Sequence, residues 1–265
     1  MPPSPTSSAT DPSSIPSRDS FIEHFATKKR VRGYDVQTRS SESSRYSSAS
    51  SSGNLFSVAW NCDGTMLAVG SSEKVVAAAT LEQNGKFRQT FTGSAHTDTV
   101  DKVAWHPTSP SLFASASSDR SICIWDTRQK GKPGRLSTKS ANQCVAWSPC
   151  GQYLVVGDKD ERLSLVEGRT FSVSKTTDYN RLEVNEFAYD PSGKYLLVAL
   201  GQGKLGIMDM PTLQPWRTIQ AHSPQSSCIS LSISASGGKL ALGASDALVS
   251  LWDADELICE RVISR

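Results

Sequence analysis

Short apolar runs, four to six residues long and separated by polar turns, recur along the chain from residue 54 onward. In residues 94–126 three of them stand at 100–105, 112–117 and 121–125, the length of a strand and not of a helix. Turn-forming residues fill the gaps at 106–111 and 118–120. His96 opens this unit, and Trp125-Asp126 closes it.

The unit repeats. Trp252-Asp253 has the same ending, with Asp246 six residues before its Trp, as Asp119 is before Trp125. His222 lies 30 residues ahead of Trp252, and His96 lies 29 ahead of Trp125. An inner-strand slot recurs as Trp60, Trp105, Trp147, Tyr189 and Ile233, in steps of 45, 42, 42 and 44 residues. A turn follows at Asp63-Gly64, Cys150-Gly151, Ser192-Gly193 and Ser236-Gly237, and an apolar run follows each turn. A period of about 40–45 residues with four strands in each is the signature of a WD40 β-propeller. The pattern predicts an all-β fold with five four-stranded blades, at about 54–93, 94–138, 139–182, 183–220 and 221–265. The outer strand of the third blade is expected at 170–174. Nothing in the spacing indicates that five blades close on themselves, so an open, incomplete ring is expected.

Residues 1–53 are of different material. Ser, Pro and charged residues dominate, and such a segment buries too little apolar surface to offset its ordering entropy. Disorder is expected there, interrupted by a short strand at 28–36. The basic run Lys28, Lys29, Arg30 within it fits a nuclear-import signal or a phosphate-binding patch, and equally a solvated arm.

Within a blade, a His, a strand hydroxyl, a turn Asp and a Trp are expected to link by hydrogen bonds that fix strand order. In the second blade these are His96, Ser115 (or Ser117), Asp119 and Trp125. The fifth keeps His222, Asp246 and Trp252 but has Leu242 and Ala244 where the hydroxyl should be, so it is expected to be looser or water-bridged. These residues read as structural, not catalytic.

Composition narrows the function. A net charge of +2 is too small for nucleic-acid binding by the whole fold, and no apolar run approaches the roughly 20 residues that span a bilayer. The six cysteines show no C-x-x-C spacing and fit reduced thiols of cytosol or nucleus. The four histidines are far apart, so neither metal nor cofactor is expected. Gly201-Gln202-Gly203-Lys204-Leu205-Gly206 matches G-x-G-x-x-G but joins two strands, whereas a dinucleotide loop opens a helix. No enzyme is read, and no small-molecule substrate. Trp125-Asp126-Thr127-Arg128 resembles the W-D-x-R motif with which substrate receptors of cullin-RING ubiquitin ligases dock their adaptor, through an Arg reaching into an acidic pocket. Lys159 and Asp160, in a charged turn, and Arg128 are candidate partner contacts.

Residues 245–253 (Ser-Asp-Ala-Leu-Val-Ser-Leu-Trp-Asp) with Asp255-Glu256-Leu257, supported by 155–160, 183–186 and the run from Val100-Asp101 through Trp105-His106-Pro107 to Trp125-Asp126, resemble the THO complex subunit 3 family. The resemblance extends in order from about residue 31 to residue 265. It implies a seven-bladed propeller of which five blades are seen here. It also implies a nuclear scaffold that joins other THO subunits and couples transcripts to processing and export. RNA contact would be indirect. A ubiquitin-ligase receptor and a reader of histone tails or other peptides are the competing expectations.

Overall fold

The computed structural model describes residues 54–83, 85–129, 131–179, 182–234 and 236–264. The chain divides into Met1–Arg39 and Ser40–Arg265, and every described residue belongs to the second unit. The expected disorder of residues 1–53, the strand expected at 28–36 and Lys28, Lys29 and Arg30 therefore lie outside the described residues.

Among the described residues, twenty strands form five four-stranded antiparallel sheets. Blade 1 is β1 (Leu55–Trp60), β2 (Met66–Ser71), β3 (Val76–Leu81) and β4 (Phe87–Gly93). Blade 2 is β5 (Val100–Trp105), β6 (Leu112–Ser117), β7 (Ser121–Asp126) and β8 (Gly134–Ser137). Blade 3 is β9 (Asn142–Trp147), β10 (Tyr153–Asp158), β11 (Arg162–Glu167) and β12 (Ser172–Asp178). Blade 4 is β13 (Val184–Tyr189), β14 (Tyr195–Leu200), β15 (Lys204–Asp209) and β16 (Gln214–Gln220). Blade 5 is β17 (Cys228–Ile233), β18 (Lys239–Ala244), β19 (Leu248–Asp253) and β20 (Ile258–Ser264).

One strand departs from the sequence reading. β12 starts at Ser172 and runs to Asp178, not from 170 to 174. Phe171 takes a left-handed φ of 50° and returns its N–H to the Glu167 carbonyl at 2.9 Å, so the turn consumes Thr170 and Phe171, the first two residues assigned to the strand. The turns after the inner strands place Gly64, Gly151, Gly193 and Gly237 at φ 70–82°, where a side chain is disfavoured. The G-x-G-x-x-G run opens with the three-residue turn between β14 and β15, in which Gln202 and Gly203 both have positive φ, and continues into β15.

Sheets bury both faces here, so their middle strands are nearly continuous apolar runs, such as Leu196–Leu200 in β14. Four apolar clusters fill the four junctions between consecutive blades. Each junction has the same build: the inner strand of the later blade lies on the face of the earlier one, β1 against β5, β5 against β9, β9 against β13 and β13 against β17. The first and fourth residues of the inner strand supply the contact. Val100 and Val103, Asn142 and Val145, Val184 and Phe187, and Cys228 and Leu231 are all buried. Each such apolar side chain contributes about 1.5–3 kcal/mol on leaving water. The equivalents in β1 differ: Val58 is 62% and Trp60 49% exposed, against 2% for Val103 and 7% for Trp105.

Polar bonds pin the same junctions. The Val103 amide donates to Ser57 Oγ at 3.0 Å and the Trp105 indole to the Ala59 carbonyl at 2.9 Å. Asn185 Nδ2 donates to the Cys228 carbonyl at 2.9 Å, and the Leu231 amide to Glu186 Oε2 at 3.0 Å.

Candidate interaction surface

The blade-2 tetrad is a single directed chain. Trp125 Nε1–H donates to Ser115 Oγ at 2.8 Å, and Ser115 Oγ meets His96 Nε2 at 2.6 Å. His96 Nδ1 meets Asp119 Oδ2 at 3.1 Å. A network that starts at an indole donor and ends at a carboxylate fixes the imidazole as the Nδ1–H tautomer. Ser117 has a different task, donating to the Thr99 carbonyl at 2.7 Å. Asp119 also accepts from the Thr97 amide at 2.9 Å and the Ser121 hydroxyl at 2.6 Å.

Electrostatics follow from this burial. Burial pushes the His96 pKa down against the pull of Asp119, so the ring is neutral and its contact with the carboxylate is a hydrogen bond and not an ion pair. Burial works the other way on Asp119, but the Ser121 hydroxyl, the Thr97 amide and His96 outweigh it and hold the carboxyl at about 2. The interior thiols are inert: burial raises Cys123 to about 11, Cys144 to about 12 and Cys228 to about 11.

Blade 5 corrects an expectation. His222 Nδ1 meets Asp246 Oδ2 at 3.1 Å, and the hydroxyl is present after all, supplied by Ser250 on β19. Ser250 Oγ lies 2.8 Å from His222 Nε2 and accepts from the Trp252 indole at 2.7 Å. In blade 2 the cross-strand pair is Ser115 opposite Cys123, and in blade 5 it is Leu242 opposite Ser250. Hydroxyl and apolar residue have exchanged strands, so the tetrad is complete without water. A hydroxyl two residues before the Trp was the signal in the sequence.

The remaining candidates lie apart from one another. The Arg128 guanidinium is exposed but folds back on Asp126, with Nε to Oδ1 at 3.0 Å and Nη2 to Oδ2 at 2.8 Å. That bidentate clasp occupies the group an adaptor-docking arginine would have to project, and the structure gives the ubiquitin-ligase reading no support. Lys159 Nζ reaches across to Ser118 Oγ of blade 2 at 3.2 Å, whereas Asp160 Oδ2 meets Arg162 at 3.3 Å within its own turn. Glu186 and Lys102 were not paired by anything in the sequence. They join β13 to β5 across the intervening inner strand, while Glu186 also accepts from Ser230 Oγ at 2.7 Å. A cleft of about 440 Å³ opens where blades 4 and 5 meet, lined by Asp190, Tyr195, Trp216, Ile233 and Leu257. In it Trp216, 56% exposed, stacks on Tyr195 with centroids 5.1 Å apart. Among the described residues no group of His, Cys, Asp and Glu could hold a metal ion.

The arrangement is that of a rigid frame presenting loops and clefts, and the comparisons agree. The family model for the WD domain, G-beta repeat, matches residues 85–126 and 138–166, and that for the anaphase-promoting complex subunit 4 WD40 domain matches 168–234. THO complex subunit 3 of Arabidopsis thaliana is 32% identical over 212 residues, 80% of this chain and 66% of that protein. WD repeat-containing protein AAC3 of Dictyostelium discoideum is 29% identical over 226 residues, 77% of this chain and 47% of that protein. Protein transport protein SEC13 of Phaeosphaeria nodorum is 36% identical over 91 residues, 33% of this chain and 30% of that protein. The chain thus spans just under two thirds of the first of these relatives and about half of the second. The chain belongs to the WD40-repeat family, and along four fifths of its length it is similar to THO complex subunit 3.

Proposed function

We propose that this chain is a non-enzymatic scaffold of a THO-type complex in the nucleus, acting in mRNA processing and export through contacts with other THO subunits. The observation that carries this reading is its likeness to THO complex subunit 3 over four fifths of the chain. The physical logic is that of a propeller: stacked sheets cannot move against one another without opening a packed junction, so loops at the rims are held in fixed register for several partners at once. The mixed surface and the net charge of +2 favour protein partners, with RNA reached indirectly. The basic run Lys28, Lys29, Arg30 is the segment to test for RNA or import-receptor binding. Lys159 and Asp160 are proposed as rim contacts.

The five blades are further proposed to be part of an open, larger ring. The exposure of Val58, at a position buried in the other four blades, supports this.

Affinity purification of the tagged full chain from nuclei, followed by mass spectrometry, tests the assignment. Recovery of the other THO subunits is expected. A cytoplasmic protein, or a nuclear one that brings down none of them, overturns it.

A further inference from the structure

Four of the outermost strands carry a β-bulge at the same place. The register against the third strand skips one residue in each: Thr90 in β4, Ser174 in β12, Trp216 in β16 and Glu260 in β20. A bulge re-aims the side chain it leaves unpaired. Three blades present a polar residue there, so the fold itself has no use for an indole at this position. In blade 4 the bulge holds Trp216 56% exposed and stacked on Tyr195. Among the described residues nothing accepts a hydrogen bond from the Trp216 N–H.

Trp216 borders the cleft between blades 4 and 5, whose floor is apolar, with Leu197, Ile207 and Ile233. Asp190 and Asp255 line it as well, neither forms an ion pair among the described residues, and no Lys, Arg or His is in the lining. Lys194 rests over the Tyr195 ring, 4.9 Å from its centre, outside that lining. The rim is fixed, because Gly237 sits so close to Pro191 that an added Cβ would stand 3.1 Å from the proline ring. Both walls belong to a completed junction, that of β13 with β17, so the cleft is not an uncovered end of the stack.

We propose that this cleft binds an extended, proline-containing segment of a protein partner, flanked by Lys or Arg. A polyproline segment has no hydrogen bonds of its own, so its rings pack on an aromatic ledge and its carbonyls accept from a free indole N–H. The two carboxylates select the flanking cations. Addition of a partner strand along β16 is the competing mode, and Pro215 and the bulge at Trp216 interrupt that edge. The inference deepens the scaffold reading by naming what one cleft takes, and it rests on that reading and not on the THO assignment.

Isothermal titration of the full chain with a synthetic peptide of repeated Pro-Pro-Arg is the test, beside one peptide with Glu in place of Arg and one with Ala in place of Pro. Only the first is expected to bind, with an affinity that falls as salt is added. Trp216→Ser gives blade 4 the residue that blade 3 has at its bulge, so the thermal midpoint should be unchanged while the affinity drops roughly tenfold or more. Asp255→Asn, exposed on the opposite wall, is a second variant, expected to lower the affinity and flatten its salt dependence. No binding by the full chain, whatever then fills the cleft, equal binding of the Ala peptide, or binding that both variants leave unchanged each overturns the proposal. The functional assignment is read separately. A chain that recovers THO subunits but binds no peptide sinks only this inference, and one that binds the peptide without recovering them sinks only the assignment.

Discussion

The Trp252 indole donates to the hydroxyl of Ser250, two residues earlier on the same strand, whereas the Trp125 indole reaches across to Ser115 on the neighbouring strand. The same three-way junction of indole, hydroxyl and imidazole is thus assembled from either strand of a pair. Ser250→Ala leaves the Trp252 N–H and His222 Nε2 unpaired where water is excluded, and is expected to cost about 1–3 kcal/mol. Adding Leu242→Ser should recover part of that loss by restoring the blade-2 arrangement. Urea unfolding of the single and double variants measures both, and an unchanged midpoint in Ser250→Ala would show that the hydroxyl is not the hub.

Stability should fall on acidification in two stages traceable to the blade-2 tetrad. His96 has its folded pKa below the ordinary 6.5, so the unfolded chain takes up the proton first and stability declines as the pH drops through 6.5. Asp119, folded at about 2 against an ordinary 3.8, stabilises fully above about pH 4, and that contribution disappears as the pH falls toward 2. That contribution is at most about 2 kcal/mol. Asp119→Asn should flatten the acid limb between pH 4 and 2, read from urea midpoints across the range.

Glu186 ties three blades together through Lys102, Ser230 and the Leu231 amide. Burial pushes its pKa up, but Lys102 and the two donors from blade 5 more than offset this, and the carboxylate is charged. Glu186→Ala orphans the Leu231 N–H and should cost about 1–3 kcal/mol, with faster hydrogen exchange concentrated in β17. Glu186→Gln keeps an acceptor for that amide and should lose less. Equal losses would mean that the Lys102 pairing, and not the backbone bond, is what counts.

Gly157→Ala places a methyl group 2.9 Å from Phe187, forcing blades 3 and 4 apart, with an expected cost of about 1–3 kcal/mol. Gly243→Ala, on the equivalent uncovered surface, is expected to leave the midpoint unchanged or raise it slightly. Thermal unfolding of the pair checks the contrast.

Strands and blades were legible because each inner strand ends on an aromatic or branched residue and four of the five turns that follow hold a glycine, signals confined to a few neighbouring positions. The 170–174 strand was misplaced because Thr170 and Phe171 favour strands by composition, while the closing turn of blade 3 draws Phe171 into a left-handed conformation. Ser250 could be assigned only with the register that puts it opposite Leu242. Lys102 and Glu186 are 84 residues apart, and no local pattern connects them. The exposure of Val58 was equally hidden, since its neighbours Ala59 and Trp60 match those of the buried Val103.

Because every junction is made by a later inner strand settling on an earlier sheet, the architecture is vectorial. As the polypeptide leaves the ribosome, each blade from the second to the fifth finds its seat already formed by the blade before it. A nascent chain halted after any blade would expose a single unsatisfied surface at its growing edge, in addition to the one that β1 presents from the start.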